Sequence, residues 1–208
     1  MFERPGERLY AIIDDEVCAQ RGVEPAALAL ACLRGGARVL QLRVKGGASA
    51  RFLGLASELV ASARSFEAAV VVNDRPDIAR MAQAAGVHVG QDDLPPRAVR
   101  TVFPEAVIGL STHDSPQIEA ALASTADYVA VGPVFSTSTK DTGYSARGLS
   151  LVETAAGRGK PVVAIGGITL ELAPRVIAAG AASVAVITDL LAGGDPEARV
   201  AAYLRALV

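Results

Sequence analysis

The chain contains no tryptophan, two cysteines, two histidines and 4% aromatic residues, and neither sign of charge dominates. Each scarcity closes off a class of function. So few aromatics disfavour a base-stacking surface, and 20 Lys plus Arg against 22 Asp plus Glu give no field that would draw a polyanion. No nucleic-acid partner is expected. Cys18 and Cys32 have neither paired metal spacing nor a secretory framework around them, so they read as reduced core thiols. His88 and His113 are not spaced as a zinc site. No apolar run approaches the roughly 20 residues of a membrane span, and the charged opening Met-Phe-Glu-Arg-Pro-Gly-Glu-Arg lacks the apolar core of a secretory leader. A cytoplasmic protein without a membrane partner is the expectation.

What is present is apolar and periodic. With 208 residues and 51% hydrophobic content the chain can bury a full core, and no linker divides it, which predicts a single domain over residues 1–208. Short β-rich runs recur at 9–13, 39–44, 69–72, 87–89, 107–110, 128–131, 161–165 and 183–187. Between them lie Ala/Leu-rich stretches with helical spacing, such as Ala26, Leu30 and Leu33, or Leu55, Leu59 and Ala63. Pro25, Pro76, Pro96 and Pro116 fall where a first-turn proline is tolerated. Runs this continuously apolar suit parallel strands covered by helices, and eight βα units predict an α/β chain folded as a compact (β/α)8 barrel. An open doubly wound sheet is the alternative, but Asp14-Asp15-Glu16 after the first run offers no glycine-rich phosphate loop.

Polar chemistry collects where the runs end. Period-two alternation sets Gln41, Arg43 and Lys45 on one face and Leu40, Leu42 and Val44 on the other. Two cations and an amide in one row suit a phosphate or pyrophosphate. Asn73 and Asp74 end the third run, and Asp92 and Asp93 follow the fourth. Carboxylates meeting at adjacent strand ends suit Mg²⁺, which prefers oxygen ligands and keeps substrate phosphates among them. Helix capping is the competing account; a first-turn Pro76 would make Arg75 the cap and leave Asp74 unexplained, whereas Asp92 is as well read as a cap.

The sixth run ends in Gly132-Pro133 and opens into hydroxyls and an ammonium, Ser136 to Lys140, as a loop that holds an anion would. Residues 136–147 form a polar excursion too long for a simple βα turn, read as a mobile flap. Gly166-Gly167 and Val186-Ile187-Thr188 follow the seventh and eighth runs, where barrels commonly form a phosphate cup. His88 reads as a satisfied barrel residue, His113 as a loop candidate for proton transfer or hydrogen bonding. Ser111 and His113 assemble into no catalytic triad, and no nucleophile elbow is present.

Taken in order, Gln41-Leu-Arg-Val-Lys45, Asn73-Asp-Arg-Pro-Asp77, Gly86-Val-His-Val-Gly-Gln-Asp-Asp93, Gly109-Leu-Ser-Thr-His113, the stretch from Asp127 to Lys140, Ala164-Ile-Gly-Gly-Ile168 and the stretch from Gly180 to Thr188 resemble the thiamine phosphate synthases over nearly the whole chain. The resemblance implies a TIM barrel that joins a pyrimidine pyrophosphate to a thiazole phosphate, releasing pyrophosphate through a pyrimidine cation. It implies Mg²⁺ at Asp74 and Asp93, with Arg43, Lys45, Ser111 and Lys140 on the pyrophosphate and Gln41 and Asn73 on the pyrimidine. Thr137, Thr139, Gly167, Ile187 and Thr188 would hold the thiazole phosphate. The partners implied are small molecules, and a homodimer is compatible with a compact barrel. Two positions depart from the family. Val44 stands where Glu is common, on the face turned from the polar row. Thr188-Asp189 stands where Ser-Ala is usual, and a carboxylate beside a phosphate is unfavourable unless Asp189 turns into solvent. Two rival readings are a thiazole tautomerase on the same barrel, acting through a histidine near His113 without metal, and a non-catalytic barrel that binds thiamine intermediates.

Overall fold

A computed structural model of the chain describes residues 1–137 and 144–208. Its strands are β1 (Leu9–Asp14), β2 (Val39–Arg43), β3 (Ala69–Asn73), β4 (Gly86–Val89), β5 (Val107–Thr112), β6 (Tyr128–Val131), β7 (Val162–Ile165) and β8 (Ser183–Val186). They pair in chain order, all parallel, and β8 returns to β1 to close the barrel. Around it run α1 (Asp15–Arg21), α2 (Pro25–Arg34), α3 (Ser49–Arg64), α4 (Pro76–Met81), α5 (Pro96–Val102), α6 (Ser115–Ala123), α7 (Leu149–Ala155), α8 (Ala173–Ala178) and α9 (Pro196–Ala206). Short 3-10 turns occupy Pro5–Glu7 and Thr188–Gly194.

Every expected run is a strand, with ends shifted by a residue or two. β3 and β5 continue to Asn73 and Thr112, past the point where apolar side chains stop. Backbone pairing there is maintained by the neighbouring strands rather than by hydrophobicity. The proline entries hold at Pro25, Pro76 and Pro96. Pro116 falls one residue later in its helix, behind an Asp114 cap that accepts from Gln117 N at 2.9 Å. In α2 the spacing finds the helix but not its buried stripe. Leu28, Ala29, Cys32 and Leu33 face the barrel, while Ala26 and Leu30 lie at the edge.

Alternation along each strand builds two separate cores. Outward residues such as Ala11, Leu40, Leu42, Val72, Val87, Ile108 and Val129 pack beneath the helices, and both cysteines lie there as free, buried thiols. Burial pushes the Cys18 thiol up to about 11 and the Cys32 thiol up to about 12, which makes them inert at neutral pH. Inward residues Tyr10, Ile12, Val39, Val71, Tyr128 and Val163 fill the barrel. Phe2 seals its amino-terminal end, its ring 5.9 Å from that of Tyr10 and 5.1 Å from that of Tyr128. The carboxyl-terminal end is left to polar side chains.

Candidate active site

The polar row of β2 continues the inward face. Gln41 is buried beside Tyr10, Arg43 ends the strand, and Lys45 follows. Leu40, Leu42 and Val44 pack outward, as the alternation requires. Two ion pairs fix the cations across the mouth. Lys45 Nζ donates to Asp74 Oδ2, and Arg43 Nη1 donates to Asp14 Oδ2. Asp14 was not among the expected site residues. It ends β1 in register with Arg43, is 2% exposed, and caps α1 through Val17 N at 3.0 Å. Its paired role depends on inter-strand register.

Asp74 follows β3 in a left-handed conformation, φ 64°, with its N–H on His88 O at 2.8 Å. That conformation costs a non-glycine residue energy and turns the carboxylate towards the neighbouring strand end. There it meets Asp93, whose Oδ2 also accepts from Gly90 N at 2.8 Å. Burial raises the Asp74 carboxyl above its ordinary range; Lys45 pulls the other way, and the hydrogen bond shared with Asp93 adds to the rise. The capping account fails for these aspartates. Arg75 stands at the cap of α4 and Pro95 at the cap of α5, so neither Asp74, Asp92 nor Asp93 serves a helix.

Two adjoining cavities open at this end. One of about 70 Å³ is walled by Gln41, Arg43, Lys45, Asn73, Asp74 and Asp93. The other, about 450 Å³, is walled by Thr137, Gly166, Gly167, Ile187 and Thr188, and Ser111 lines both. Gly166 and Gly167 have φ of 102° and 63°, and a Cβ on Gly167 would stand 2.4 Å from Ser136 O. Only glycine lets the β7 loop press against the β6 loop. His113 is tied back by Nδ1 to Gly132 O at 2.6 Å and stacks on Tyr144, ring centroids 4.4 Å apart. Among the expected site residues Thr139 and Lys140, with the central part of the 136–147 excursion, lie outside the described residues. All the others line these two cavities.

Asp189 lines the larger cavity, but its carboxylate is held by helix α9 rather than turned into solvent. Its Oδ2 accepts from Arg199 Nη2 at 2.7 Å, from Arg199 Nε at 3.1 Å, from the Tyr203 hydroxyl and from Leu170 N at 3.2 Å. Helix α9 thereby neutralises the carboxylate and ties the β8 loop to the β7 loop.

A closed parallel barrel with its ionisable side chains, hydroxyls and cavities at the carboxyl ends of the strands is the architecture of a (β/α)8-barrel enzyme. The family model described as thiamine monophosphate synthase matches residues 9–190. A thiamine-phosphate synthase from Anaeromyxobacter dehalogenans is 43% identical over 86% of this chain and 82% of its own length. One from Koribacter versatilis is 42% identical over 96% and 95%. The solved thiamine phosphate pyrophosphorylase from Pyrococcus furiosus superposes with a TM-score of 0.88 at 27% identity, over 98% of this chain and 96% of that one. Phosphoribosyl anthranilate isomerase from Thermotoga maritima, at 16% identity, TM-score 0.68 and coverage of 97% and 98%, shares the fold alone. The chain belongs to the thiamine monophosphate synthase family.

Proposed function

We propose that the chain condenses an aminopyrimidine methyl pyrophosphate with a hydroxyethylthiazole phosphate, giving thiamine phosphate and pyrophosphate. The observation that carries this reading is the carboxylate pair Asp74 and Asp93 standing beside Lys45 at the mouth of the smaller cavity, next to a glycine-walled cavity large enough for a second ligand. One cavity suits a metal-bound pyrophosphate and the other a phosphate monoester.

The donor set fits Mg²⁺. Burial raises the Asp74 carboxyl and the neighbouring Asp93 adds to the rise, and a hard divalent ion relieves the repulsion between the two carboxylates. Among the described residues no third His, Cys, Asp or Glu joins them, in keeping with an ion that completes its shell with water and phosphate oxygens. When bound, Mg²⁺ supplies charge neutralisation at the pyrophosphate oxygens. In this reading Arg43, Lys45, Ser111 and Lys140 oppose the charge that grows on pyrophosphate as its carbon–oxygen bond breaks. Gln41 and Asn73 orient the pyrimidine so that its methylene cation faces the thiazole nitrogen. Thr137, Thr139, Gly167, Ile187 and Thr188 hold the thiazole phosphate. No protein nucleophile or strong base is required, because the thiazole nitrogen already carries the attacking lone pair.

The proposal includes a single domain over residues 1–208, small-molecule substrates and a cytoplasmic location; no helix among the described residues is long and apolar enough to cross a membrane. The test mixes protein, both substrates and Mg²⁺, and follows thiamine phosphate and pyrophosphate with and without chelator. Chelator-sensitive product is the expected result. Absence of product with intact substrates, or conversion of the thiazole phosphate alone, moves the reading to a binding protein or a tautomerase.

A further inference from the structure

An unbroken file of hydrogen bonds runs through the barrel interior, joining two residues of the proposed pyrimidine and pyrophosphate sites by way of three residues with no role there. Gln41 Nε2 lies 3.0 Å from the Tyr10 hydroxyl, which lies 3.0 Å from the Tyr128 hydroxyl. The Tyr128 hydroxyl is 3.0 Å from His88 Nδ1, and His88 Nε2 is 2.8 Å from Ser111 Oγ. Tyr10, Tyr128, His88 and Gln41 are all at most 7% exposed. The file exists because residue 109 is glycine. In the ladder Gly109 sits between His88 and Tyr128, and a Cβ there would stand 2.1 Å from Tyr128 Cζ. With no side chain at 109, the Tyr128 ring crosses the intervening strand and reaches the imidazole, centroids 5.7 Å apart.

Proton counting gives the file one direction. The Gln41 amide nitrogen only donates, so the Tyr10 oxygen accepts. Each phenol holds a single proton, and burial raises both phenols well above their ordinary value, so both keep it. The Tyr10 proton therefore goes to Tyr128, its remaining partner among the described residues, and the Tyr128 proton goes to His88 Nδ1. His88 must then carry its hydrogen on Nε2 and donate to Ser111 Oγ. Ser111 cannot donate back, so its own O–H points elsewhere, and its side chain lines both cavities.

We infer that Tyr10, Tyr128 and His88 are positioning residues that polarise the site, committing Ser111 to donate to an anionic ligand oxygen and Gln41 to present its carbonyl oxygen to a ligand N–H. The ligand that matches has an amino group at one end and a pyrophosphate at the other. This inference rests on the synthase reading for the identity of that ligand, but not for the direction of the file.

The experiment reads the direction without turnover. Nitrogen-15 spectra of histidine-labelled full-length protein, free of substrates, report the tautomer of His88. The expected result is a pyridine-type Nδ1 and a pyrrole-type Nε2. A pyrrole-type Nδ1, or a doubly protonated ring at neutral pH, overturns the proposal. Tyr128→Phe keeps the ring and removes the donor. It is expected to abolish the fixed Nε2–H tautomer and to lower kcat/KM for the pyrimidine pyrophosphate by about tenfold, the worth of one buried hydrogen bond, with KM for the thiazole phosphate unchanged. A Tyr128→Phe enzyme of wild-type tautomer and wild-type kinetics also overturns it. Should the variant fail to fold, the wild-type spectrum decides alone. A protein with the expected tautomer but no thiamine phosphate formation refutes the synthase reading and leaves the polarised file standing.

Discussion

Replacing Arg199 by alanine isolates how helix α9 governs the larger cavity. The guanidinium places two hydrogen bonds on Asp189 Oδ2, at 2.7 and 3.1 Å, and both side chains are largely shielded, 19% and 16% exposed. A hydrogen bond to a charged group contributes about 1.5–3 kcal/mol, and removing one partner of a buried pair leaves the other charge uncompensated. Asp189 retains the Tyr203 hydroxyl and Leu170 N, so the loss should fall near the lower part of that range, about 2 kcal/mol. For a chain of this length that is a melting-temperature drop of about 4–8 °C. The second consequence is electrostatic. A carboxylate freed of its arginine, beside Thr188, opposes an incoming phosphate, so KM for the thiazole phosphate should rise by about tenfold, equivalent to about 1.4 kcal/mol, while KM for the pyrimidine pyrophosphate stays constant. The assay is a double-mutant cycle with Asp189→Asn, combining steady-state kinetics with thermal melts. Removing both charges should restore much of the loss and give a coupling energy above about 1 kcal/mol. Additivity of the two substitutions, or equal effects on both KM values, would refute the reasoning.

Asp74→Ala and Asp93→Ala should each lower kcat by more than about 100-fold, and chelator should silence the wild type but not further reduce either variant, as measured by pyrophosphate release. In metal-free protein, Asp74→Asn should raise the melting temperature at neutral pH. The folded-state carboxyl is raised above its unfolded value, so its ionisation costs stability as pH rises through that raised value, and the amide escapes the cost; an unchanged or lower melting temperature counts against the crowded carboxylate pair. Gly167→Ala should reduce activity and stability together, because a Cβ meets Ser136 O at 2.4 Å and the residue holds φ 63°; wild-type thiazole phosphate KM would contradict the close approach of the two loops. Asp127→Ala should lower stability by about 1 kcal/mol without altering kcat, since this carboxylate joins Arg100 and Ile108 N at the amino end of β6, opposite the mouth.

The barrel was legible because each strand carries its own evidence of burial: alternation in β2 separates Gln41, Arg43 and Lys45 from Leu40, Leu42 and Val44 without any knowledge of a neighbour. Asp74 was legible by elimination, once Pro76 removed the capping account. What escaped depends on which residues of different strands stand side by side. Asp14 is a polar end to an apolar run like several others, and only register sets it beside Arg43. The proton file was equally hidden, although a glycine in the middle of the run from Val107 to Leu110 is a signal that something comes close there. Asp189 read as a misplaced charge because its partners, Arg199 and Tyr203, come from a helix that sequence periodicity assigns no particular neighbour.

The aromatic plug of Phe2, Tyr10 and Tyr128 makes the barrel a room with one door. The smaller cavity reaches down to Tyr10 and Ile12, whereas the larger one is framed by the loops after β6, β7 and β8. With that end corked, a guest of either chamber enters and leaves by the carboxyl ends of the strands. The architecture thus makes all traffic one-ended: arrival and departure share the same end of the cylinder.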